Sequence, residues 1–566
     1  MRPVPVQADY TGSVQALYSL SEHPIERTED VEVVLVIMIF GIVILVARKV
    51  HRNREEQKRL RAQQFGAVER KRVRDCGEIV RYFANNLGYV ARQVISRDEL
   101  ERMIDGGAEP GDLWNEIIGR ISTVPGVILG IQDAEGIRVP VLQPESIRDR
   151  HMYVVGKSGY GKTTLLRQLV YQDMEAGNGL AVIAPEQEML TEEILPFVPD
   201  HRVDDVIYFN PADLERPVVF NPLQLDEDED LDFKAEETFA VFRRSLGDIG
   251  PRMEEILRHS IYALLELGGT TLLDVGPLLD RKNNTFRKRV EAECKDEQTV
   301  RFFRDIFPQL PKDATLPVLN RIGRIIRPKV VRNCLCQPTG SLNFRQAMDQ
   351  GRILLFNLSD GILGESASQL LGQLIVSKLQ LATMSRADVP KTARHRFYCY
   401  LDEFQTFVGT SATSYEKILS RARKYGLGLI LAHQQTGQVP TDLLKEIFGN
   451  TSTLVAFQVS RSDATRIAKE FVTEYDGEIL STPPEELLGL RVGETYCKIG
   501  QTSFRMTTRM VEQEADHRRA EQVINLSRSA HGVASLMDKD AAVSYENETG
   551  TGRGFPLDDI DPSEVF

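Results

Sequence analysis

A short segment of the chain combines glycine, lysine and hydroxyl side chains at a spacing that suits phosphate binding. Gly156-Lys-Ser-Gly-Tyr-Gly-Lys-Thr163 fits the pattern GxxxxGK[ST], and it stands between an apolar run and a stretch of leucines with helical spacing. The glycines let successive backbone N–H groups turn toward a β-phosphate, and the helix N-terminus adds partial positive charge. The pattern predicts a nucleoside triphosphate, taken as ATP, bound by Gly156, Lys157, Ser158, Gly159, Tyr160, Gly161, Lys162, Thr163 and Thr164.

Two acidic residues far along the chain suit the hydrolysis of that nucleotide. Asp402 and Glu403 directly follow the apolar run Phe397–Leu401. Lys162 is predicted to bridge the β and γ oxygens during catalysis, while Thr163 and Asp402 hold Mg²⁺. Glu403 is predicted to polarise the attacking water as general base. An acidic pair after a strand is also common in a solvated turn, but the phosphate-binding pattern in the same chain favours the catalytic interpretation.

Two further polar groups flank the apolar run Leu427–Ala432. Gln434 is predicted to sense the γ-phosphate beside the acidic pair, whereas His433 is predicted to be a packing residue. Arg423 is predicted to be catalytic by reaching the γ-phosphate of a neighbouring subunit, with Arg421 as the second choice. The alternative for both arginines is the solvated basic end of a helix.

Short apolar runs alternate with helical stretches around these residues, which indicates an α/β fold with a parallel, doubly wound sheet. The acidic run Asp226–Asp232 interrupts this alternation, and the segments after it have helical character up to about residue 346. The sequence therefore predicts a P-loop NTPase domain that contains an inserted all-α domain. Such an insert explains the long separation between Lys162 and Asp402.

An unbroken apolar run of fifteen residues, Val33–Ala47, lies near the N-terminus, and Val31 and Val50 extend it to twenty. That length is enough for one transmembrane helix. Basic side chains crowd its C-terminal side, whereas only Arg2 and Arg27 precede it, so the N-terminus is predicted to lie outside and the rest in the cytoplasm. A buried core helix and a signal peptide are the alternatives, and the polar residues before the run disfavour the signal peptide.

The predicted organisation places the chain in the inner or cytoplasmic membrane as a single-pass protein. Its predicted parts are an external N-terminus at 1–30, the transmembrane helix at 31–50, a basic juxtamembrane segment and small adaptor region at 51–145, the ATPase domain at 146–225 and 346–512, the inserted all-α domain at 226–345, and a C-terminal helix with an acidic disordered tail at 513–566.

The composition restricts how such a protein would contact a nucleic acid. The chain has 566 residues, 42% of them hydrophobic, and a formal net charge of −13, which argues against DNA held over the whole outer surface. Any nucleic-acid contact is therefore predicted to be local. The six cysteines are too scattered for a disulfide framework.

Four segments, in this order, resemble the type IV secretion coupling proteins, which are conjugative ATPases of the FtsK/HerA-like group. They are GKSGYGKTT, HRVDDVIYFNPADLERPVVFNPL, GPRMEEILRHSIYALLE, and LDEF followed by ARKYGLGLILAHQ, and they span about 148–500. The resemblance implies a RecA-like motor domain, a helical domain that receives substrate, a membrane anchor, and a hexameric ring that threads DNA through a central pore. It assigns Walker A, Walker B, sensor and finger roles to Lys162 with Thr163, Asp402 with Glu403, Gln434, and Arg423, respectively.

One segment departs from the family pattern, since Ala184-Pro-Glu-Gln-Glu188 replaces an Asp-Pro-x-Gly-Asp-like sequence. The predicted function is a Mg²⁺-dependent ATPase that moves DNA, together with a bound relaxase, toward a conjugation or secretion channel. The alternatives are a secretion or pilus assembly ATPase that does not act on DNA, and a nucleotide-gated membrane scaffold. Glu403 argues against the scaffold, because a switch needs no positioned base.

Overall fold

The computed structural model describes residues 123–534, except 135–136, 228, 247–248, 409–412, 476–477 and 509–514, and a few isolated residues before 123. The predicted transmembrane helix at 31–50, Lys49 excepted, and the acidic tail after 534 lie outside the described residues. Among the helices that are described, none is long and apolar enough to cross a membrane. The described chain divides into two compact units.

The strands are β1 (Gly126–Ala134), β2 (Ile137–Pro144), β3 (Met152–Val155), β4 (Gly179–Ala184), β5 (Val206–Phe209), β6 (Ile353–Asn357), β7 (Phe397–Leu401), β8 (Leu427–His433), β9 (Thr453–Ala456), β10 (Val472–Tyr475), β11 (Glu478–Ser481), β12 (Glu494–Ile499) and β13 (Thr502–Thr507). The α-helices are α1 (Glu145–Arg148), α2 (Lys162–Glu175), α3 (Gln187–Thr191), α4 (Leu231–Ser245), α5 (Pro251–Leu267), α6 (Val275–Leu279), α7 (Thr285–Glu293), α8 (Glu297–Arg301), α9 (Leu316–Ile326), α10 (Lys329–Leu335), α11 (Phe344–Asp349), α12 (Asp360–Leu363), α13 (Glu365–Ser385), α14 (Gln405–Val408), α15 (Thr413–Arg421), α16 (Thr441–Asn450), α17 (Arg461–Ile467), α18 (Pro484–Leu488) and α19 (His517–His531).

The first unit comprises the described residues up to Asp205, Ala347–Ile353 and Arg386–Val523. Its main sheet has the strand order β2-β1-β13-β12-β9-β3-β8-β7-β4. The strands from β9 to β4 run parallel to their neighbours, and β12, β13, β1 and β2 pair antiparallel. The parallel strands β3, β4, β7 and β8 are buried along their whole length, as their unbroken apolar sequences require. The predicted α/β class is confirmed as a mixed α/β fold.

The strands β1 and β2 belong to this sheet, which differs from the sequence-based expectation. The sequence assigned them to an adaptor region ending at 145, before the ATPase domain. In the structure β1 pairs with β2 and, through Ile131 opposite Thr507, with β13. This pairing joins segments from opposite ends of the unit, and local hydrophobic periodicity carries no information about such a distant partner.

The second unit comprises Val206–Gln346, Leu354–Ser385 and the described residues from Ile524 onward. Between β5 and β6 its described residues form helices and no strand. Helix α4 packs against α5 and α13, and α5 packs against α9. Strand β5 lies next to β6, and aromatic contacts surround this pair: Phe209 lies 5.7 Å from both Phe220 and Phe356, measured between ring centroids.

Candidate functional site

The candidate site lies at one edge of the sheet in the first unit, where four buried strands end. The strands β3, β8, β7 and β4 are consecutive parallel neighbours, so their carboxyl ends meet at this edge. The residues that directly follow them are Gly156, Gln434, Asp402 and Pro185. Ligands of open α/β sheets bind at such an edge.

The predicted phosphate loop connects β3 to α2 and needs glycine at two positions for steric reasons. A Cβ atom at residue 156 would lie 2.5 Å from the Cβ of Phe457. Gly161 precedes α2 with a φ of 108°, in the region that favours glycine. The Gly156 N–H donates to the carbonyl of His433 at 3.2 Å, which ties the start of the loop to the end of β8.

The side chains of the loop differ in exposure. Lys157, Ser158 and Gly159 form its exposed tip, and Thr163 and Thr164 are half-buried in the first turn of α2. Thr163 therefore lies in the turn that directly follows the loop, where its hydroxyl would be one ligand of a bound Mg²⁺ ion.

Lys162 is the buried cation of the site. Its Nζ donates to the carbonyl oxygens of Gly156 at 2.8 Å and Lys157 at 3.4 Å, and lies 3.9 Å from Oε1 of Glu403. Burial lowers the pKa of Lys162, and the charges of Glu403 and Asp402 oppose that shift. The ammonium group therefore lies between the loop and the acidic pair that the sequence predicted to act together.

The acidic pair follows β7 directly, and its two members have different environments. Asp402 is 5% exposed, and its Oδ1 accepts the Glu403 N–H at 3.0 Å. Burial and the neighbouring charge of Glu403 raise the pKa of Asp402 to about 7. The Glu403 carboxylate accepts hydrogen bonds from Nε2 of Gln434 at 3.1 Å and from Nε2 of Gln405 at 2.7 Å. Two amides thus hold the carboxylate that was predicted to be the general base.

The donor set suits a nucleotide with Mg²⁺. Within the described residues Lys162 forms an ion pair with Glu403, and its charge also affects Asp402, so both carboxylates face the same cation. No group of three or more His, Cys, Asp or Glu side chains is placed to hold a metal within the described part of the chain. Mg²⁺ is usually bound through one or two carboxylates, substrate phosphates and water. Thr163 and Asp402 fit that mode of binding.

Arg423 is the predicted residue that the structure does not bring to this edge. It is exposed in the turn Ala422–Tyr425 before β8, whereas Gln434 follows β8. A strand of seven residues spans roughly 20 Å. Arg423 instead lies close enough to Asp149 and His151, just before β3, for its charge to affect both. Its guanidinium is therefore placed at the opposite edge of the sheet from its own phosphate loop.

Two polar side chains of the site, Glu186 and Gln405, were not predicted from the sequence. Glu186, after β4, adds a negative charge that affects both Lys162 and Asp402. It lies in the segment singled out only as a departure from the family pattern, although its place after a buried strand was a usable signal. Gln405 begins α14, and no sequence pattern distinguishes it from a solvated helix residue.

A third residue that was not predicted from the sequence, Gln458, holds the loop through hydrogen bonds to Lys157. The Lys157 N–H donates to the carbonyl of Gln458 at 2.8 Å, and the Lys157 Nζ donates to the Gln458 side chain at 3.1 Å. Nε2 of Gln458 donates in turn to the carbonyls of Leu488 at 2.9 Å and Leu490 at 3.2 Å. The loop is thereby linked to the C-terminal end of α18 and the residues that follow it.

His433 is buried behind the site, in line with a packing role. Its Nε2 shares a hydrogen bond with the Tyr153 hydroxyl, and its ring packs edge-on against Phe404 at 4.9 Å between centroids. Burial and the charge of Lys162 lower the pKa of His433 to about 3. The imidazole is therefore neutral at physiological pH.

The structure defines the class as a mixed α/β fold with a large, mostly parallel sheet and a glycine-containing loop between a buried strand and a helix. Within this class the chain is structurally similar to the plasmid coupling protein TrwB in complex with the non-hydrolysable ATP analogue ADPNP, with 17% identity and a TM-score of 0.51 over 70% of this chain and 91% of that chain. The unbound bacterial conjugative coupling protein TrwBdeltaN70 gives 17% identity and a TM-score of 0.50 over 70% and 91%.

VirB4 of Thermoanaerobacter pseudethanolicus matches at 16% identity and a TM-score of 0.46, over 70% of this chain and 98% of that chain. No protein-family model matches the chain, and no curated protein matches its sequence. The resemblance to coupling proteins that the sequence motifs predicted is confirmed as a structural similarity to TrwB.

Proposed function

We propose that this protein is a Mg²⁺-dependent ATPase, anchored in the inner or cytoplasmic membrane, that moves DNA toward a conjugation or type IV secretion channel. One observation carries the hydrolytic part of this proposal. Lys162, Glu403 and Gln434 come from three separate elements and meet within hydrogen-bonding or ion-pairing distance beside the phosphate loop. A structural acidic turn would need neither the buried lysine nor the amide.

In the proposed mechanism, the loop backbone from Gly156 to Thr164 receives the phosphates. Lys162 exchanges its hydrogen bonds to the loop carbonyls for the β and γ oxygens, where its charge offsets the charge that develops in the transition state. Thr163 and Asp402 would hold Mg²⁺, which would neutralise phosphate charge.

Glu403 acts as the general base that accepts a proton from the attacking water. The two amides that bind its carboxylate keep it oriented toward the loop, and Gln434 is close enough to respond to the γ-phosphate. Arg423 lies at the far edge of its own sheet and cannot reach the phosphate loop of its own chain. It therefore acts on the γ-phosphate of the next subunit.

The motif resemblance to coupling proteins implies DNA as the substrate and a homo-oligomer, taken as a hexamer, as the working form, and the structural similarity to TrwB, a conjugative coupling protein, is in line with it. The net charge of −13 favours DNA contacts confined to a central pore. The apolar segment at 31–50 supplies the membrane anchor, and a relaxase and the secretion channel are the proposed partners.

The test is ATP hydrolysis by the full chain over a series of protein concentrations, with and without single- and double-stranded DNA. We expect a rate that rises with protein concentration and with DNA, and that falls by about 10²-fold or more in both Lys162→Ala and Glu403→Gln. The matched controls are Lys445→Ala and Glu192→Gln, because both side chains are exposed and lie outside the site. They should retain the wild-type rate.

Other outcomes would select other functions. Hydrolysis that depends on Lys162 and Glu403 but ignores DNA would indicate a secretion or pilus assembly ATPase. Tight ATP binding without turnover would indicate a nucleotide-gated scaffold. Hydrolysis that survives both substitutions would contradict the site itself.

A further inference from the structure

The second unit carries a basic surface on α9 and α10. The stretch 314–348 contains no aspartate or glutamate, although the chain as a whole is acidic. It contains the basic residues Arg321, Arg324, Arg327, Lys329, Arg332 and Arg345. We call Arg324, Arg327, Lys329 and Arg332 the basic face.

The packing of the two helices directs the basic face away from the core. Helix α9 buries Val318, Ile322 and Ile326, which recur every four residues on one side. Arg324, Arg327 and Lys329 are exposed, and Arg332 is half-buried. Within the described residues, none of these four side chains has an ion-pair partner. A concentrated and uncompensated positive charge of this kind attracts a polyanion.

The described chain ends beside the same helices. After α19, the Val533 N–H donates to the carbonyl of Pro217 at 3.0 Å, and Nε2 of Gln337 donates to the carbonyl of Ala534 at 3.1 Å. Gln337 follows α10 by two residues. The residues after Ala534 therefore start next to the C-terminal end of α10.

Those residues form a strongly acidic segment. Residues 535–566 contain eight acidic and two basic side chains, and the first acid is Asp538. Four extended residues reach about 13 Å, and the seven residues of α10 rise about 10 Å, so acids early in the segment can reach Lys329. A segment tethered this close has an effective concentration on the order of millimolar at the basic face.

We propose that the acidic segment 538–566 binds the basic face of its own chain and screens it from other polyanions. The negative charge of the segment complements the positive charge of the basic face. Because the segment belongs to the same chain, it is always available to bind there. Each exposed ion pair contributes little, but several pairs with one tethered partner act together. Binding of this kind is sensitive to salt, so the segment is a removable cover rather than a fixed part of the core.

The direct test is zero-length carbodiimide cross-linking of the full chain, followed by mass spectrometry of the joined peptides. Lys329 should cross-link to carboxylates of 538–566 within one chain, and the yield should fall about fivefold or more at roughly 0.5 M salt. Replacing Arg324→Glu with Arg327→Glu should lower this yield about tenfold, while Lys329 stays available. The control is Lys282→Glu with Lys288→Glu, which reverses two exposed charges elsewhere in the unit.

Several results would overturn the proposal. The first is that the segment cross-links to Lys329 no more often than to the exposed Lys312. The second is that the variant with both Arg324→Glu and Arg327→Glu unfolds at the wild-type temperature but gives the same cross-linking yield as the wild type. A third concerns a short single-stranded DNA as probe. If the full chain and a chain ending at Ala534 bind it equally through Arg324 and Arg327, the basic face is open to nucleic acid and the acidic segment does not cover it.

Discussion

Glu403 has an unusual backbone conformation that determines where its carboxylate lies. Its φ is 45°, in the left-handed region that a residue with a side chain adopts only when its surroundings require it. Here hydrogen bonds from two backbone N–H groups, at Glu403 and at the next residue, hold this conformation. Its own N–H donates to Asp402, and the next N–H, of Phe404, donates to the carbonyl of Ala432 at 3.0 Å. The turn after β7 thus directs the Glu403 carboxylate toward the loop through its contacts with β8.

Gln434 should matter for the rate more than for nucleotide affinity. In Gln434→Ala the Glu403 carboxylate loses the hydrogen bond to its Oε1, so the base is less well oriented in the transition state. We expect kcat to fall about 10- to 100-fold, with the Kd for ATP changed less than about threefold. Steady-state hydrolysis and equilibrium binding of a labelled nucleotide measure the two effects.

The neighbouring amide provides the control for this prediction. Gln435→Ala removes a side chain that is bonded to the turn at Gln438 and not to Glu403. A fall in kcat of the same size in Gln435→Ala, or a loss of affinity equal to the loss of rate in Gln434→Ala, would contradict the orienting role.

At the scale of elements, a buried ion pair joins α1, α2 and β7. Arg148 donates to both oxygens of Asp173, at 2.5 and 2.7 Å, and the two side chains are 3% and 0% exposed. The hydroxyl of Tyr400 also donates to Asp173, and the Arg148 guanidinium lies 3.7 Å from the ring centroid of Tyr398. The C-terminal end of the helix that begins at the phosphate loop is therefore fixed to the strand that ends at the acidic pair.

Breaking that pair should be costly. Asp173→Asn leaves the Arg148 guanidinium buried without its carboxylate, and we expect a loss of stability of about 3 kcal/mol. Glu293→Gln breaks the pair with Arg289, whose side chains are 44% and 51% exposed, and should cost less than about 1 kcal/mol. Urea unfolding of the full chain compares the two. Equal losses of unfolding free energy in the two variants would show that the pair of Arg148 and Asp173 does not stabilise the contact between α2 and β7.

His151 connects the start of β3 to two other elements as a neutral side chain. Its Nδ1 accepts the Leu429 N–H at 3.0 Å, and its Nε2 donates to the carbonyl of Leu419 at 3.0 Å. Burial lowers the pKa of His151 to about 4, the Leu419 bond opposes this shift, and the nearby charge of Arg423 adds to it. The ordinary pKa of histidine is about 6.5.

This pKa makes stability dependent on pH in a defined direction. Between about pH 6.5 and 4 the unfolded chain binds a proton at His151 that the folded chain excludes, so stability falls as the pH falls through this window. His151 should account for up to about 3 kcal/mol of that fall. In His151→Asn, which suits the φ of 62° at this residue, unfolding free energies measured across the window should show a shallower slope. The exposed His201→Asn should leave the slope unchanged, and an unchanged slope in His151→Asn would refute the assignment.

The elements that were predicted from the sequence share one physical property. Strands β3, β7 and β8 are buried on both faces, so each is an unbroken apolar run whose end also locates Gly156, Asp402 and Gln434. The strand pairing and the side-chain hydrogen bond that were not predicted from the sequence depend on contacts between distant residues or on residues outside any periodic pattern. The pairing of β1 with β13 and the bond from Gln405 to Glu403 are set by the tertiary fold, and no local pattern encodes them.

At the scale of the whole molecule, the first unit carries its predicted site residues at two opposite edges of its sheet. The phosphate loop and the acidic pair lie at the carboxyl edge of the parallel strands, and Arg423 is exposed at the amino edge, roughly 20 Å away along β8. One chain cannot bring its own Arg423 to its own nucleotide without unfolding β8. If Arg423 has a role in hydrolysis, that role must be performed on another subunit.

Mixing two inactive variants tests this arrangement. Lys162→Ala lacks a working site but keeps Arg423, and Arg423→Ala keeps the site but lacks the arginine, so each alone should lose about 10²-fold or more in rate. In an equal mixture, about one quarter of the interfaces combine an intact site with an intact arginine, and the mixture should recover about that fraction of the wild-type rate. Mixing Lys162→Ala with Glu403→Gln should restore nothing, because both defects lie on the same side of the interface. A wild-type rate of hydrolysis in Arg423→Ala, or no recovery in the first mixture, would show that Arg423 is a solvated basic residue. The γ-phosphate of the neighbouring subunit would then be contacted by Arg421 or by no arginine of this turn.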